Sequence, residues 1–195
     1  EKEPLWNYTI GETVNSIDIS EDGNYTVTGS LVDPHSGQGV RLFDSHSGEL
    51  LWEYILNEEV IVSISADGNY IVAGSWNDLV YLFSKDSNDY LWSYDFGYDV
   101  NDVDISADGE YIVAGTSEQK VYLFHRNSNS PVWSYSMGSS QYGTVSGVDI
   151  SADGQYIVAV GQLTTDGIAV FDRTSGTPFW ETSANFAYVS MSSDG

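Results

Sequence analysis

The sequence predicts an all-β fold built from a repeated unit of four short antiparallel strands. An Asp-Gly pair recurs with Asp-to-Asp steps of 45, 41, 45 and 41 residues, at Asp22-Gly23, Asp67-Gly68, Asp108-Gly109, Asp153-Gly154 and Asp194-Gly195. Tryptophan recurs with nearly the same step, at Trp6, Trp52, Trp92, Trp133 and Trp180. A period of about 40 to 45 residues is that of the blade of a β-propeller, in which four-stranded sheets surround a common axis.

The third unit shows why each piece of the repeat is predicted to be a strand. Residues 103–106 alternate apolar and polar side chains, and residues 107–109 supply a tight turn in which Gly takes a positive φ. The remaining strands are short, rich in β-branched or aromatic residues and bounded by turn residues, at 111–115, 121–124 and 132–135. No segment has a helical period of useful length.

These landmarks divide the chain into five repeats, at approximately 5–50, 51–90, 91–131, 132–178 and 179–195, the last of them partial. Trp6 belongs to a fourth strand without the three that should precede it, and the final unit stops after its first strand. We therefore expect residues 1–195 to form a single propeller domain or part of one. The prediction is about four complete blades plus partial terminal strands, as a fragment of a larger ring.

The first half of the unit resembles a WD repeat. Val-Asp-Ile-Ser-Ala-Asp-Gly followed by Tyr-Ile-Val-Ala-Gly, at 103–109 and 111–115, is similar to the first two WD strands and their turn. The third strand departs from that pattern, since a WD repeat usually carries Trp where this chain has Phe43, Phe83, Phe124 and Phe171. The Gly-His pair expected before the first strand is also missing.

The second half resembles the tryptophan-docking motif of quinoprotein-like, or PQQ-like, propellers. Asp-x-x-Ser-Gly-x-x-x-Trp occurs at 44–52 and 172–180, and 84–92 and 125–133 are degenerate copies. This resemblance implies that the Trp of each unit packs between adjacent blades. Large rings dominate burial energetics, so we interpret all five repeat tryptophans as packing residues.

Composition limits the partners that this chain is expected to bind. Its 29 acidic and 6 basic residues give a formal net charge of −23, which argues against nucleic acid and an anionic membrane surface. No apolar run approaches the roughly 18 residues of a membrane span, so we expect no membrane insertion. The charge favours a basic partner and suits an extracellular or cell-surface location, or the cytoplasm of a salt-adapted organism.

Loop lengths predict which face of the propeller binds that partner. The distance from the third-strand Phe to the repeat Trp is always 9 residues, so one face is uniform. On the other face, loops expand at 30–39, 137–144 and 162–167. Binding residues commonly lie on variable loops of a rigid scaffold, and the candidates are Asp33, His35, Gln141, Tyr142, Thr164 and Asp166.

The sequence offers no catalytic, cofactor-binding or metal site. The three histidines, His35, His46 and His125, lack metal-ligand spacing, and the chain has no Cys. The regular recurrence of Asp22, Asp67, Asp108 and Asp153 beside Gly identifies them as turn formers that bond their own backbone.

Asp18, Asp104 and Asp149 occupy equivalent places on the innermost strand, where Ser63 and Ser190 replace them in the other units. Two interpretations are open. The carboxylates surround the axis as a partial ring that holds a cation, or each one accepts hydrogen bonds from the backbone of a neighbouring blade.

We therefore predict a non-enzymatic propeller scaffold that contacts a protein or cell-surface partner through the variable loops of one face. The alternative is a carbohydrate-binding module in which Tyr90, Tyr98 and Tyr142 offer stacking surfaces. A third possibility, implied only by the quinoprotein resemblance, is a quinone-dependent dehydrogenase. None of the six basic residues falls on an innermost strand, and no adjacent Cys pair is present, so this enzyme is disfavoured.

Overall fold

The structure is a computed structural model that describes residues 3–9, 11, 13–31, 39–138, 143–162, 167–183 and 189–192. These residues form sixteen β-strands in four four-stranded antiparallel sheets. Over the described ranges there is no helix, and therefore none that is long and apolar enough to cross a membrane. The predicted all-β fold with four complete blades is confirmed.

Each blade uses four consecutive strands in sequential spatial order. Blade 1 comprises β1 (Val14–Ile19), β2 (Tyr25–Ser30), β3 (Gly39–Asp44) and β4 (Leu50–Ile55). Blade 2 comprises β5 (Val60–Ile64), β6 (Tyr70–Ser75), β7 (Leu79–Ser84) and β8 (Tyr90–Asp95). Blade 3 comprises β9 (Val100–Ile105), β10 (Tyr111–Thr116), β11 (Lys120–His125) and β12 (Trp133–Ser136). Blade 4 comprises β13 (Thr144–Ile150), β14 (Tyr156–Gln162), β15 (Gly167–Asp172) and β16 (Trp180–Ser183).

The Asp-Gly pairs form the turns between the first and second strands, as predicted. In blade 3, Asp108 Oδ1 accepts hydrogen bonds from Ser106 Oγ at 2.7 Å and from the Glu110 N–H at 2.9 Å. Gly109 has a φ of 66°, which costs Gly little. The same pair of bonds recurs around Asp22, Asp67 and Asp153. These aspartates are the turn formers that the sequence indicated.

The hydrophobic core lies between blades rather than within one sheet. Val27 and Leu42 of blade 1 pack in one cluster with Ile64 and Phe83 of blade 2. Equivalent clusters join blade 2 to blade 3 and blade 3 to blade 4. The third-strand phenylalanines are almost completely buried in every blade: Phe43, Phe83, Phe124 and Phe171. Each blade therefore depends on its neighbours for burial.

Backbone hydrogen bonds define the two faces of the assembly. On the Asp-Gly face, the turn between strands three and four contacts the Asp-Gly turn. The Arg126 N–H, for example, donates to the Glu110 backbone carbonyl at 2.8 Å. On the opposite side, called the loop face, the turn between strands two and three meets the connection from the preceding blade. The Trp76 backbone N–H, for example, donates to the Glu59 backbone carbonyl at 3.1 Å.

Candidate functional site

Four of the five repeat tryptophans dock on the following blade. The indole N–H of Trp92, in β8, donates to the Arg126 carbonyl of blade 3 at 2.6 Å, and its ring centroid lies 5.6 Å from that of Phe124. The other three indoles make equivalent bonds, Trp6 to Ser45 at 2.6 Å, Trp52 to Lys85 at 2.8 Å and Trp133 to Arg173 at 2.9 Å. Trp180 makes no such contact within the described residues and is 48% exposed. The predicted packing role is confirmed for Trp6, Trp52, Trp92 and Trp133.

The Gly of the docking motif makes room for the indole of the preceding unit. A Cβ added at Gly48 would lie 2.7 Å from the Trp6 ring, and one at Gly176 would lie 3.0 Å from Trp133 Cβ. The degenerate copies carry Asn at this position. There, Asn88 Nδ2 donates to the Glu53 carbonyl of the preceding blade at 3.0 Å. The substitution therefore exchanges a close packing contact for an inter-blade hydrogen bond.

A second contact between blades, on the Asp-Gly face, was not predicted from the sequence. The Asp-Gly glycine of one blade covers the Tyr that begins the second strand of the preceding blade. A Cβ at Gly109 would lie 2.6 Å from Tyr70, and the pairs Tyr25 with Gly68 and Tyr111 with Gly154 are equally close-packed. Because side-chain direction is not visible in a repeat pattern, the recurring Tyr after each Asp-Gly was the only available signal.

Two cations complete this contact. The Arg126 guanidinium lies 4.4 Å from the centroid of the Tyr70 ring, and Arg173 lies 5.0 Å from that of Tyr111. Guanidinium groups over aromatic faces are stabilising. Each of these residues also provides the carbonyl that accepts a Trp indole N–H. Each arginine thus joins two parts of the same interface between blades.

The axial aspartates accept hydrogen bonds from the next blade. Asp18 Oδ2 accepts from the Ile64 N–H at 2.9 Å, Asp104 Oδ2 from Ile150 at 3.0 Å and Asp149 Oδ2 from Met191 at 2.6 Å. This is the backbone-bonding arrangement that the sequence left open beside a cation ring. Among the described residues, no group of three or more His, Asp and Glu is arranged to hold a metal ion.

Further contacts tie these carboxylates together around the axis. Ser63 Oγ lies 2.8 Å from Asp104 Oδ1 and 3.2 Å from Asp18 Oδ2. Burial raises the pKa of Asp104 well above its ordinary value, and the neighbouring Asp149 raises it further. Burial also raises the pKa of Asp102, two residues earlier on β9, to about 6.

The predicted binding-loop residues all lie outside the described residues. They are Asp33, His35, Gln141, Tyr142, Thr164 and Asp166. The described part of the loop face instead contains Trp76, the one tryptophan outside the repeat series, which is 47% exposed in the turn between β6 and β7. Sequence reasoning passed over Trp76, although its lack of a counterpart in the other units was visible.

Three acidic residues, Glu59, Asp78 and Asp99, share the loop face with Trp76, and their backbone carbonyls accept hydrogen bonds. The Trp76 N–H donates to the Glu59 carbonyl at 3.1 Å, and the Phe96 and Ser117 N–H groups donate to the Asp78 and Asp99 carbonyls, both at 2.9 Å. Burial raises the pKa of Glu59 and of Asp99, and the charge of Asp78 raises that of Asp99 further. In the described ranges, none of these three carboxylates forms an ion pair within 4.0 Å.

The tyrosines considered for glycan stacking differ in their surroundings. Tyr98 is 49% exposed on the connection between β8 and β9. Tyr90 is also exposed, but its ring contacts Tyr54 and Tyr81 edge-on at 6.0 and 5.5 Å. Tyr142 lies outside the described residues.

The histidines that can be placed lie at the Asp-Gly face. His125 ends β11 and its ring contacts Tyr111 edge-on at 5.3 Å, whereas His46 lies in the exposed turn after β3.

Comparison with known proteins agrees with the repeat architecture just described. Residues 36–193 match the PQQ_2 family, described as the outer membrane protein assembly factor BamB. The chain belongs to this family. The PQQ_2 match spans the third and fourth strands of blade 1 and all of blades 2 to 4, and it includes both intact copies of the tryptophan-docking motif.

A solved structure shows the same fold at low sequence similarity. Hydrazine synthase from Kuenenia stuttgartiensis superposes with a TM-score of 0.71 at 18% identity, covering 90% of this chain and 49% of that one. The present chain therefore spans about half the length of the hydrazine synthase chain, and the similarity between the two extends to the fold alone. No curated protein matches the sequence significantly.

Proposed function

We propose that this chain is a non-enzymatic propeller scaffold that binds a basic protein or cell-surface partner through its loop face. The observation that carries the proposal is the exposed Trp76 on a rim that also contains Glu59, Asp78 and Asp99, whose carboxylates form no ion pair among the described residues. An indole face attracts Lys or Arg side chains, and the nearby carboxylates supply complementary charge.

The rim is suited to binding because its backbone is held by the propeller. Its turns are hydrogen-bonded to connections from neighbouring blades, so little ordering is required when a partner arrives. Tryptophan is enriched among the residues that dominate binding energy at protein interfaces. The net charge of −23 accelerates encounter with a basic surface at low salt.

The family supports the same conclusion. Its description names an assembly factor for outer membrane proteins, and assembly is a task carried out on other proteins. We extend this to the present chain as a scaffold role, with neither nucleic acid nor membrane insertion as part of it.

The test is binding to an array of basic, neutral and acidic peptides of equal length. We expect basic peptides to be retained at about 0.1 M salt and released at about 1 M, because screening shortens the range of charge interactions. Trp76→Ala should weaken binding at least tenfold. Trp180→Ala is the matched control. Trp180 is similarly exposed, at 48%, but it lies on the outer face of blade 4, the side that faces away from blade 3. Equal loss in both variants would contradict the loop-face assignment.

The carbohydrate alternative rests on the exposed rings of Tyr98 and Trp76. A glycan array read under the same conditions separates the two functions. Salt-insensitive glycan binding that Tyr98→Ala and Trp76→Ala both abolish would favour the carbohydrate-binding module. Reduction of a redox dye after addition of a quinone cofactor would instead show the dehydrogenase.

A further inference from the structure

We propose that the outer face of blade 4 is a docking site for a β-hairpin of a partner protein, with apolar side chains that alternate along both strands of the hairpin. This inference does not depend on the loop-face function. The outer face carries Tyr156, Phe179 and Trp180, which are 38%, 62% and 48% exposed. Tyr156 and Phe179 contact each other edge-on, with ring centroids 6.1 Å apart, and together with Trp180 they form an aromatic patch.

The corresponding surface of blade 3 shows which elements cover such a face. Val113 of β10 and Leu123 of β11 are a cross-strand pair, and both side chains are completely buried. They pack in one cluster with Ile157 of β14 and Phe171 of β15, which are a cross-strand pair of blade 4. The second and third strands of the next unit, which form a β-hairpin, therefore supply the apolar cover.

On blade 4, the same positions border an open cleft. The equivalents of Val113 and Leu123 are Val158 and Val170, which are again a cross-strand pair. They line a cleft of about 520 Å³. The other residues of the lining are Tyr156, Phe179, Val189, Ser190 and Met191. Every described side chain of this lining is uncharged, so the cleft is suited to apolar contacts rather than to a basic peptide.

The place of the first strand beside this cleft is already taken by residues 189–192. The Met191 N–H donates to Asp149 Oδ2 at 2.6 Å, as the Ile150 N–H of β13 donates to Asp104 Oδ2 at 3.0 Å. The cleft therefore lies where the second and third strands lie in the interface between blades 3 and 4. Within the described ranges, no strand occupies that place.

Trp180 is a second observation that points to a hairpin. Each docked indole donates to the carbonyl of the residue two positions after a third-strand Phe, as Trp92 does to Arg126 after Phe124. A hairpin that brings an aromatic residue into the cleft thus also brings a carbonyl acceptor to Trp180. The Trp180 indole N–H has no protein acceptor among the described residues and is available for this bond.

Residues 3–9 show that a short segment can dock on a blade without a complete sheet. They lie outside the sixteen strands of the described blades. Even so, the Trp6 indole N–H donates to the Ser45 carbonyl at 2.6 Å, and the Trp6 and Tyr8 rings contact Phe43 at 6.2 and 5.0 Å. A partner therefore needs to supply only the matching part of a blade. An isolated hairpin is marginally stable in water, so the cleft would also order it.

A partner protein suits the cleft better than a second copy of this chain. The second and third strands of each described blade are already paired on both sides within their own sheet, so none of these hairpins is free to dock elsewhere. Two copies also repel each other, because each has a formal net charge of −23. The expected partner segment is a hairpin whose docking face carries a cross-strand aliphatic and aromatic pair, like Ile157 with Phe171.

The test uses the intact protein and a synthetic hairpin with the sequence of residues 110–127, closed by a disulfide between cysteines added at its two ends. Calorimetry should detect binding that persists from about 0.1 M to about 1 M salt, because apolar contacts are not screened. Trp180→Ala should weaken binding about tenfold, whereas Trp76→Ala should leave it unchanged. Basic peptides should show the reverse pattern, so failure of either proposal is distinguishable. No binding of the hairpin to the wild type would overturn the inference.

The two faces of the hairpin provide a test of orientation. In the intact protein, Ile112 and Phe124 pack toward blade 2, whereas Val113 and Leu123 pack toward blade 4. A hairpin with Ile112→Ser and Phe124→Ser should therefore lose binding, and one with Val113→Ser and Leu123→Ser should retain most of it. Equal loss in the two hairpins would show non-specific adhesion and would contradict the proposed docking.

A matched pair of variants tests the cleft itself. Phe179 and Leu91 each precede a repeat Trp and are 62% and 52% exposed, but only Phe179 lines the cleft. Phe179→Ala should weaken hairpin binding about fivefold or more, and Leu91→Ala should not change it. Sedimentation of the protein alone should show a monomer. A dimer that Trp180→Ala dissociates would mean that a second copy covers this face, and the inference would be wrong.

Discussion

The interface between blades 2 and 3 and the outer face of blade 4 carry the same repeat residues in different surroundings. Trp92 is partly buried against Phe124 with its indole N–H bonded, whereas its equivalent Trp180 is 48% exposed. Tyr70 lies under Arg126 and against Gly109, whereas its equivalent Tyr156 is 38% exposed. The difference arises from the following blade, since both residues occupy equivalent strands within their own sheets.

This comparison shows that burial in the repeat is a nearest-neighbour property. A blade brings half of each interface, and the aromatic side chains gain their stabilising contacts only when the next unit covers them. The apolar surface around Trp180 extends over Tyr156, Val158, Val170 and Phe179, which line a cleft of about 520 Å³ together with residues 189–191. Among the described residues, blade 4 therefore leaves exposed the surface that blades 1 to 3 bury.

The largest expected effect is at the tryptophans. Trp92→Ala should lower the free energy of unfolding by about 3 kcal/mol, through lost packing and a lost hydrogen bond. Trp180→Ala should cost less than about 1 kcal/mol, because that ring has little packing to lose. Urea unfolding followed by far-UV circular dichroism measures both. Similar losses would show that Trp180 is buried by a contact beyond the described residues.

The glycines offer a smaller and better matched comparison. Gly23 and Gly109 have φ values of 70° and 66°, so Ala is strained by about 1 kcal/mol at either position. A Cβ at Gly109 also meets Tyr70, whereas one at Gly23 meets nothing within 4 Å. We expect Gly109→Ala to cost about 1 to 3 kcal/mol more than Gly23→Ala in thermal unfolding. Equal costs would mean that the Tyr ring moves aside freely.

The smallest effect concerns the cation over the tyrosine. Arg126→Ala should cost about 1 kcal/mol, since it removes the guanidinium from the Tyr70 face. Lys85 occupies the equivalent position in blade 2 and pairs with the exposed Asp86 at 3.0 Å. Lys85→Ala should cost less than about 0.5 kcal/mol, as is usual for surface ion pairs. A double-mutant cycle with Tyr70→Leu isolates the ring contact, and a coupling energy near zero would refute it.

Much of the fold was predictable because each landmark acts locally. The Asp-Gly turns need only Asp to bond the backbone two residues ahead and Gly to take a positive φ, so their positions and roles followed from spacing. The docking of Trp52, Trp92 and Trp133 was predictable from the motif that surrounds them. The contact of Tyr70 with Gly109 and Arg126 was not, because it joins side chains whose directions are set by two separate sheets.

The candidate sites divide along the same line. Variation in loop length predicted Asp33, Gln141 and Thr164 as binding residues. The structure instead shows an exposed aromatic side chain, Trp76, in a turn of ordinary length. Exposure depends on which neighbours cover a residue, and a turn length does not report this. Likewise, the equivalence of Asp18 and Asp104 was visible in the repeat, but the approach of both carboxylates to Ser63 Oγ required the packing of three neighbouring blades.

The sequence by itself determined the strand order within each blade, the turn chemistry and the identity of the docking residues. These features depend on residues that are close along the chain or repeated at a constant spacing. Only the tertiary structure decided which copies of a repeated residue are buried, which carboxylates lie beside the Ser63 hydroxyl and which tryptophan stays exposed. The physical reason is that the chain repeats its residues almost uniformly, whereas contacts between blades depend on the neighbour present at each position.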